Sequence, residues 1–333
     1  MKMLQKLHLN LLKAPISNYI KAVPCQWLQM KAPDTIPPIV PIKMAYNSYQ
    51  TAGIDAGQPP LIIMHGLFGS KGNWNSLCKA YQKTLNCIVY SVDARNHGDS
   101  PHSPNHSYQH LAADLMEFMR DFKIKKAKLI GHSMGGRAVM YLTLKHPELV
   151  EKLVVVDISP HVSSPSLDAM PPLFEFMAKV HMPRTGTMAE ARQQVERQLS
   201  TKITDRALRS FLVTNLVQKS DGTHAWRINL SALLTNYRKN IAMFPHIPDA
   251  VYNGPTLFIG GEKSDHIPKN SLPTLKKQFT AAEVKYIPGA GHWVHSEKSH
   301  EFLKITADFL KENVALQAQA GAEAAAKVQP HHK

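Results

Sequence analysis

A chain of 333 residues with 44% hydrophobic side chains is long enough for one sizeable core, with room for an inserted segment and tails. A formal charge of +14 would suit nucleic acid or an anionic surface, but beyond the N-terminus the excess Lys and Arg are scattered, with no dense basic block and no nucleic-acid-binding motif. Three cysteines without CxxC or zinc spacing exclude a disulfide scaffold and suit a reducing compartment, and no apolar run reaches the roughly 18 residues of a membrane span.

Residues 1–33 carry Lys2, Lys6, Lys13, Lys21 and Lys31 and no acidic residue, with Leu4, Leu7, Leu11 and Leu12 at helical spacing. That composition reads as a basic amphipathic mitochondrial targeting segment, although it holds no Arg; a disordered basic tail on a cytoplasmic protein is the alternative. Pro33, Pro37, Pro38 and Pro41 mark a linker, which sets residues 1–41 apart from the folded part.

Pro60–Met64 is a short apolar run and reads as a buried strand. It leads into His65-Gly66-Leu67-Phe68-Gly69-Ser70, a Gly-rich loop whose backbone N–H groups can turn toward a reaction centre; His65 is expected to orient this loop rather than move protons. Cys87–Val92 is the next strand. The following loop, Asp93 to Ser100, holds Asp93, His97 and Asp99, but no matching cluster elsewhere favours a metal, and an internally hydrogen-bonded loop is expected. Ser107 caps a helix running to about Phe122, with Leu111, Leu115, Phe118, Met119 and Phe122 on its apolar side.

Leu129 and Ile130 end another apolar run, followed by Gly131-His132-Ser133-Met134-Gly135-Gly136 and then a helical stretch from Ala138 to Leu144. Strand, G-x-S-x-G and helix together form a nucleophile elbow, which presents a Ser hydroxyl at a strand's carboxyl end and a helix N-terminus. Leu153–Val156 is the next strand and ends in Asp157. Strand–helix–strand repetition implies a mostly parallel sheet with helices on both faces, and such sheets bind ligands at the carboxyl strand ends.

The pattern is helical from His161 to Ile241, and the sheet resumes near Pro255, so a helical cap is expected between the strand ending at Asp157 and that later strand. Its Met and Phe residues are expected to pack internally. Thr256–Gly260 and Glu283–Ile287 complete the sheet. The core is then 42–160 with 242–312, the cap 161–241, and the Ala/Gln-rich stretch 313–333 a disordered tail.

An attacking Ser133 needs a base, an acid to orient it and an oxyanion hole. Among 18 histidines, His292 follows the last strand in the Gly-rich turn Gly289-Ala290-Gly291, which would leave its ring mobile; His295 is the nearest rival. The acid is Asp157 or Asp265. Backbone N–H groups of Leu67 and Met134 are the candidate oxyanion hole. Neither a cofactor nor a metal is expected, and a Ser at the elbow argues against chemistry that places Asp there.

The four motifs that begin at His65, Asp93, Gly131 and Gly289 come in an order that resembles an α/β-hydrolase over about residues 42–312. More narrowly they are similar to the group of α/β-hydrolase domain-containing protein 11 and its bacterial esterase relatives. The resemblance implies that the acid follows the strand after the elbow helix, matching Asp157, with a serine near the usual acid position, matching Ser264. It implies hydrolysis of carboxylic or lipid esters in a mitochondrial setting, with thioesters within reach of the same chemistry. For close relatives it also implies association with the mitochondrial 2-oxoacid dehydrogenase complex. A non-catalytic scaffold on the same fold is the competing expectation.

Overall fold

Short apolar runs bounded by turn residues become strands, and the stretches with 3.6-residue periodicity become the helices between them. The computed structural model describes residues 38–311 apart from 52, 55, 56, 162 and 163; the targeting segment, most of the linker and the C-terminal tail lie outside them. The elements below belong to one unit that begins at Ile39. In chain order they are β1 (Tyr46–Tyr49), β2 (Leu61–Met64), α1 (Asn75–Leu85), β3 (Val89–Val92), α2 (Tyr108–Asp121), β4 (Ala127–His132), α3 (Met134–Lys145) and β5 (Val150–Val156). Then come α4 (Pro165–Asp168), α5 (Met170–Ala178), α6 (Met188–Ser200), α7 (Arg206–Val213), β6 (Leu216–Gln218), β7 (His224–Trp226) and α8 (Leu230–Asn236). β8 (Thr256–Gly261), α9 (Leu272–Leu275), β9 (Ala282–Ile287), α10 (Val294–Glu297) and α11 (Ser299–Lys311) close the fold.

Seven strands form one sheet in the order β1-β3-β2-β4-β5-β8-β9, parallel throughout except for β1. Alternation along each strand splits the core in two. Ile62, Met64, Leu129, Leu153, Val155 and Phe258 face α2 and α3, whereas Leu61, Ile63, Ile130, Val154, Val156, Leu257 and Ile259 face α1 and α11. Both faces are covered, so the central strands read as continuous apolar runs. Each such buried side chain contributes about 1.5–3 kcal/mol relative to exposure.

Neither α1 nor the short α9 and α10 was named from the sequence, and two features made of strands were missed. β1 is half-exposed at the sheet edge, and its polar–aromatic sequence carries no buried-strand signal. The segment between β5 and β8, expected to be helical, also contains the small antiparallel hairpin β6–β7. The register matters most for function: β2, β4, β5 and β8 end side by side, and His65, Ser133, Asp157 and Glu262 follow directly.

Candidate active site

Ser133 makes the turn between β4 and α3 alone, with φ 52° and ψ −116°. Such a conformation costs a non-Gly residue about 1–3 kcal/mol and persists only where its surroundings enforce it. Here a Cβ at Gly131 would lie 2.4 Å from the Gly135 carbonyl oxygen, and one at Gly135 2.4 Å from that of Met64. The Ser133 N–H donates to Val156 O at 2.9 Å, which anchors the elbow on β5.

Asp157 also has a left-handed backbone, with φ 48°, and is fully buried. Its carboxylate accepts the Gly261 N–H at 3.0 Å, the Ser264 hydroxyl at 2.5 Å and His292 Nδ1 at 2.7 Å. Donating Nδ1–H to Asp157 leaves Nε2 as the acceptor nitrogen of His292. Asp265 does not reach His292: it accepts from the Ser166 N–H and hydroxyl at 3.3 and 3.1 Å and pairs with His266. The turn around His292 is less free than its glycines suggest. Glu297 accepts the N–H groups of Gly291 and Trp293 on either side, and His132 Nε2 donates to the His292 carbonyl at 2.9 Å. Ser133 and His292 line one cavity, and among the described residues no hydrogen bond joins their side chains. Such bonds commonly tighten only when substrate binds.

Leu67 lines the same cavity, on a turn closed by Gly69 N–H to Gly66 O at 2.9 Å. Met134 is the first residue of α3, so its N–H has no intrahelical acceptor. His65 donates Nδ1–H to Gly66 O and accepts the Ala94 N–H at Nε2, which occupies both ring nitrogens in holding loops. In the next loop Asp93 accepts N–H bonds from Lys71 and Asp99 and pairs with the Lys71 ammonium, while His97 bonds Arg95 O. Those side chains are committed to the loop.

The cavity has a volume of about 930 Å³, at the upper end for small-molecule sites. Its apolar wall comes from the segment between β5 and β8. Met170, Leu173, Phe176 and Phe211 line it, whereas Phe174, Met177 and Leu212 are fully buried in the core. Helical periodicity separates residues 173 and 176 from 174 and 177, whereas Met170, the first residue of α5, is in line with the second pair and lines the cavity all the same. The expectation that the Met and Phe residues of this segment pack internally therefore holds for Phe174 and Met177 but not for Met170, Phe176 and Phe211.

His266 was not singled out from the sequence, where it is one more residue of a polar loop. Its ring stacks on that of His292, with centroids 4.0 Å apart and planes at 23°, and it bonds Ser264 Oγ through Nδ1 at 3.1 Å. Burial and the neighbouring His292 push its pKa down to about 4, against the pull of Asp157 and Asp265, so it is neutral at physiological pH. Asp157, His266 and His292 offer ligand atoms within 4.8 Å of one another. Nearly parallel rings, however, direct their in-plane lone pairs side by side rather than onto one ion, and Asp157 already holds three donors. This arrangement fits a proton-handling group better than a metal.

Several further histidines are buried without charge. Burial pushes both His106 and His295 down to about 3, the latter aided by His292, and holds His97 and His132 well below their ordinary value. A histidine kept neutral in the native state is protonated more readily when unfolded, near pH 6.5. Their contribution is thus complete above about pH 6.5 and is lost as pH falls below it, for His106 and His295 down to about pH 3, by up to about 1.4 kcal/mol per pH unit for each group. The urea midpoint is expected to be level from pH 9 to 7 and to drop steeply between 6.5 and 5. A midpoint unchanged down to pH 5 would contradict this.

The family model of the alpha/beta hydrolase fold matches residues 59–299. The chain belongs to the α/β-hydrolase family. The sn-1-specific diacylglycerol lipase ABHD11 of Xenopus tropicalis is 39% identical over 270 residues, covering 81% of this chain and 82% of that protein. Esterase YbfF of Escherichia coli is 34% identical over 266 residues, covering 79% and 97%. Among solved structures, a marine microorganism esterase superposes with a TM-score of 0.72 at 34% identity, covering 80% of this chain and 99% of its own. The likeness to this group is therefore shown over most of the chain. None of these relatives supports a dehydrogenase-complex partner. No described helix is long and apolar enough to cross a membrane.

Proposed function

We propose that this chain is a serine hydrolase that cleaves carboxylic esters, lipid esters above all, through an acyl-enzyme. One observation carries the reading: a buried Asp157 holds His292 by Nδ1 while the strained Ser133 opens on the same apolar cavity. In this mechanism His292 Nε2 takes the Ser133 proton as the hydroxyl attacks the ester carbonyl. The Leu67 and Met134 N–H groups stabilise the oxyanion, and His292 returns the proton to the leaving alcohol. Water then repeats the sequence on the acyl-enzyme. Asp157 keeps the imidazole in the productive tautomer, with Ser264 and Gly261 N–H fixing the carboxylate.

The segment 161–241 acts as a cap that supplies the acyl-binding wall over the core 42–160 and 242–312. Relatives named diacylglycerol lipases and esterases make a glycerolipid ester the first substrate to try. A fluorophosphonate probe tests the reading: Ser133 of the folded protein should be labelled and Ser133→Ala should not. An unlabelled Ser133 in folded protein sinks it.

The basic, acid-free composition of residues 1–33 supports a mitochondrial location. A reporter fused to residues 1–45 should enter mitochondria; a purely cytosolic distribution rejects this part.

A further inference from the structure

Phe68 is the strained member of the turn that carries Leu67. Its φ is 62°, a left-handed value that a side chain as bulky as Phe adopts at a cost. Beside the Gly69 N–H to Gly66 O bond that closes the turn, two further contacts hold it, and both come from the segment between β5 and β8. The Phe68 ring packs against the fully buried Phe174 of α5, with centroids 4.9 Å apart. The Phe68 carbonyl accepts a hydrogen bond from Asn215 Nδ2 at 2.8 Å. A carbonyl can only accept, so the amide nitrogen must be the atom facing it.

Asn215 is 3% exposed, and its own backbone is bonded on both sides: its N–H to Leu212 O at 3.0 Å, and its carbonyl to the Arg227 N–H at 2.7 Å. The side chain therefore projects from a fixed mount between α7 and β7. A second link nearby, from Asn229 to the left-handed Asn96, pins the same segment to the loop after β3.

We propose that Asn215 is a positioning residue for the oxyanion hole, holding the Phe68 carbonyl so that the Leu67 N–H stays aimed at the developing oxyanion. The inference rests on the hydrolase reading above. Released from Asn215, Phe68 can relax out of its left-handed conformation, and the shift passes through the Leu67–Phe68 peptide to the Gly66–Leu67 peptide that carries the Leu67 N–H. A donor that must be re-aimed in each transition state stabilises it less, while substrate binding along the apolar wall is unchanged.

The test uses Asn215→Leu, similar in size without a donor, and Asn215→Asp, which sets an acceptor against the carbonyl should the first variant fail to fold. On one activated ester kcat should fall roughly 10–100-fold with KM within about twofold, less than the loss on removing a donor outright. Affinity for a trifluoromethyl ketone, which adds to Ser133 to give an anionic hemiketal, should fall by the same factor, while affinity for the product carboxylic acid should not change. A rise in KM at constant kcat, or unchanged ketone affinity in both variants, overturns the proposal. Turnover absent from the native protein would remove the hydrolase reading and this inference together, whereas native turnover with indifferent variants removes only the inference.

Discussion

Ser133→Ala should lower kcat on an activated ester by about 10⁶-fold, the scale seen when the nucleophile of a Ser-His-Asp unit is deleted. The fold should survive, because the strained turn is imposed by Gly131, Gly135 and the anchor to Val156 rather than by the hydroxyl. Removing the hydroxyl leaves the cavity and the oxyanion donors in place, so a product or substrate analogue should bind with nearly native affinity. Steady-state hydrolysis and analogue binding, measured on the same preparation, separate the two quantities. Substantial residual turnover would mean that Ser133 is not the attacking group.

Asp157→Asn should cost about 10⁴-fold in kcat at near-neutral pH. Asn is close in shape and can keep the hydrogen bond from Gly261, but its amide N–H₂ would face His292 Nδ1 and favour the tautomer with the proton on Nε2. That nitrogen is then unable to accept from Ser133. Asp265→Asn should lose no more than about tenfold, since its carboxylate bonds Ser166 and His266 and acts on His292 only through its neighbours. Ser264→Ala combined with Asp157→Asn should give less than the product of the separate losses, because both act on one imidazole. Rates on a single ester, with folding followed by near-UV circular dichroism, decide the matter. A severe loss in Asp265→Asn beside a mild one in Asp157→Asn would reverse the assignment.

The residues that surface in the sequence are those that local chemistry makes distinctive. Gly131-x-Ser133-x-Gly135 is legible because only glycines fit where the strand and helix crowd the turn. The inner strands are legible because both of their faces are buried, which leaves runs such as Leu61–Met64 without polar interruption. By contrast β1 is an edge strand, and β6 and β7 are too short to show alternation. Asp157 and Asp265 look alike in sequence; what separates them is that β5 and β8 are neighbours whose ends point the former, and not the latter, at the imidazole. His266 and Asn215 were hidden for the same kind of reason. One is a ring stacked across a loop and the other an amide bonded to a carbonyl 147 positions away, and neither contact leaves a periodic trace in the chain. The division of the apolar residues of 161–241 between core and cavity depends on how α5 is rotated against the sheet, a tertiary property that composition does not carry.

The central claim is a covalent acyl intermediate on Ser133, and rapid acid quench of the native protein mixed with a slowly deacylated ester tests it most directly. The account predicts one added acyl mass per chain, formed before steady-state release of acid and located on the peptide that contains Ser133. Ser133→Ala should acquire none. Turnover in the native protein with no acyl mass on that peptide, or with the adduct on another residue, would contradict it.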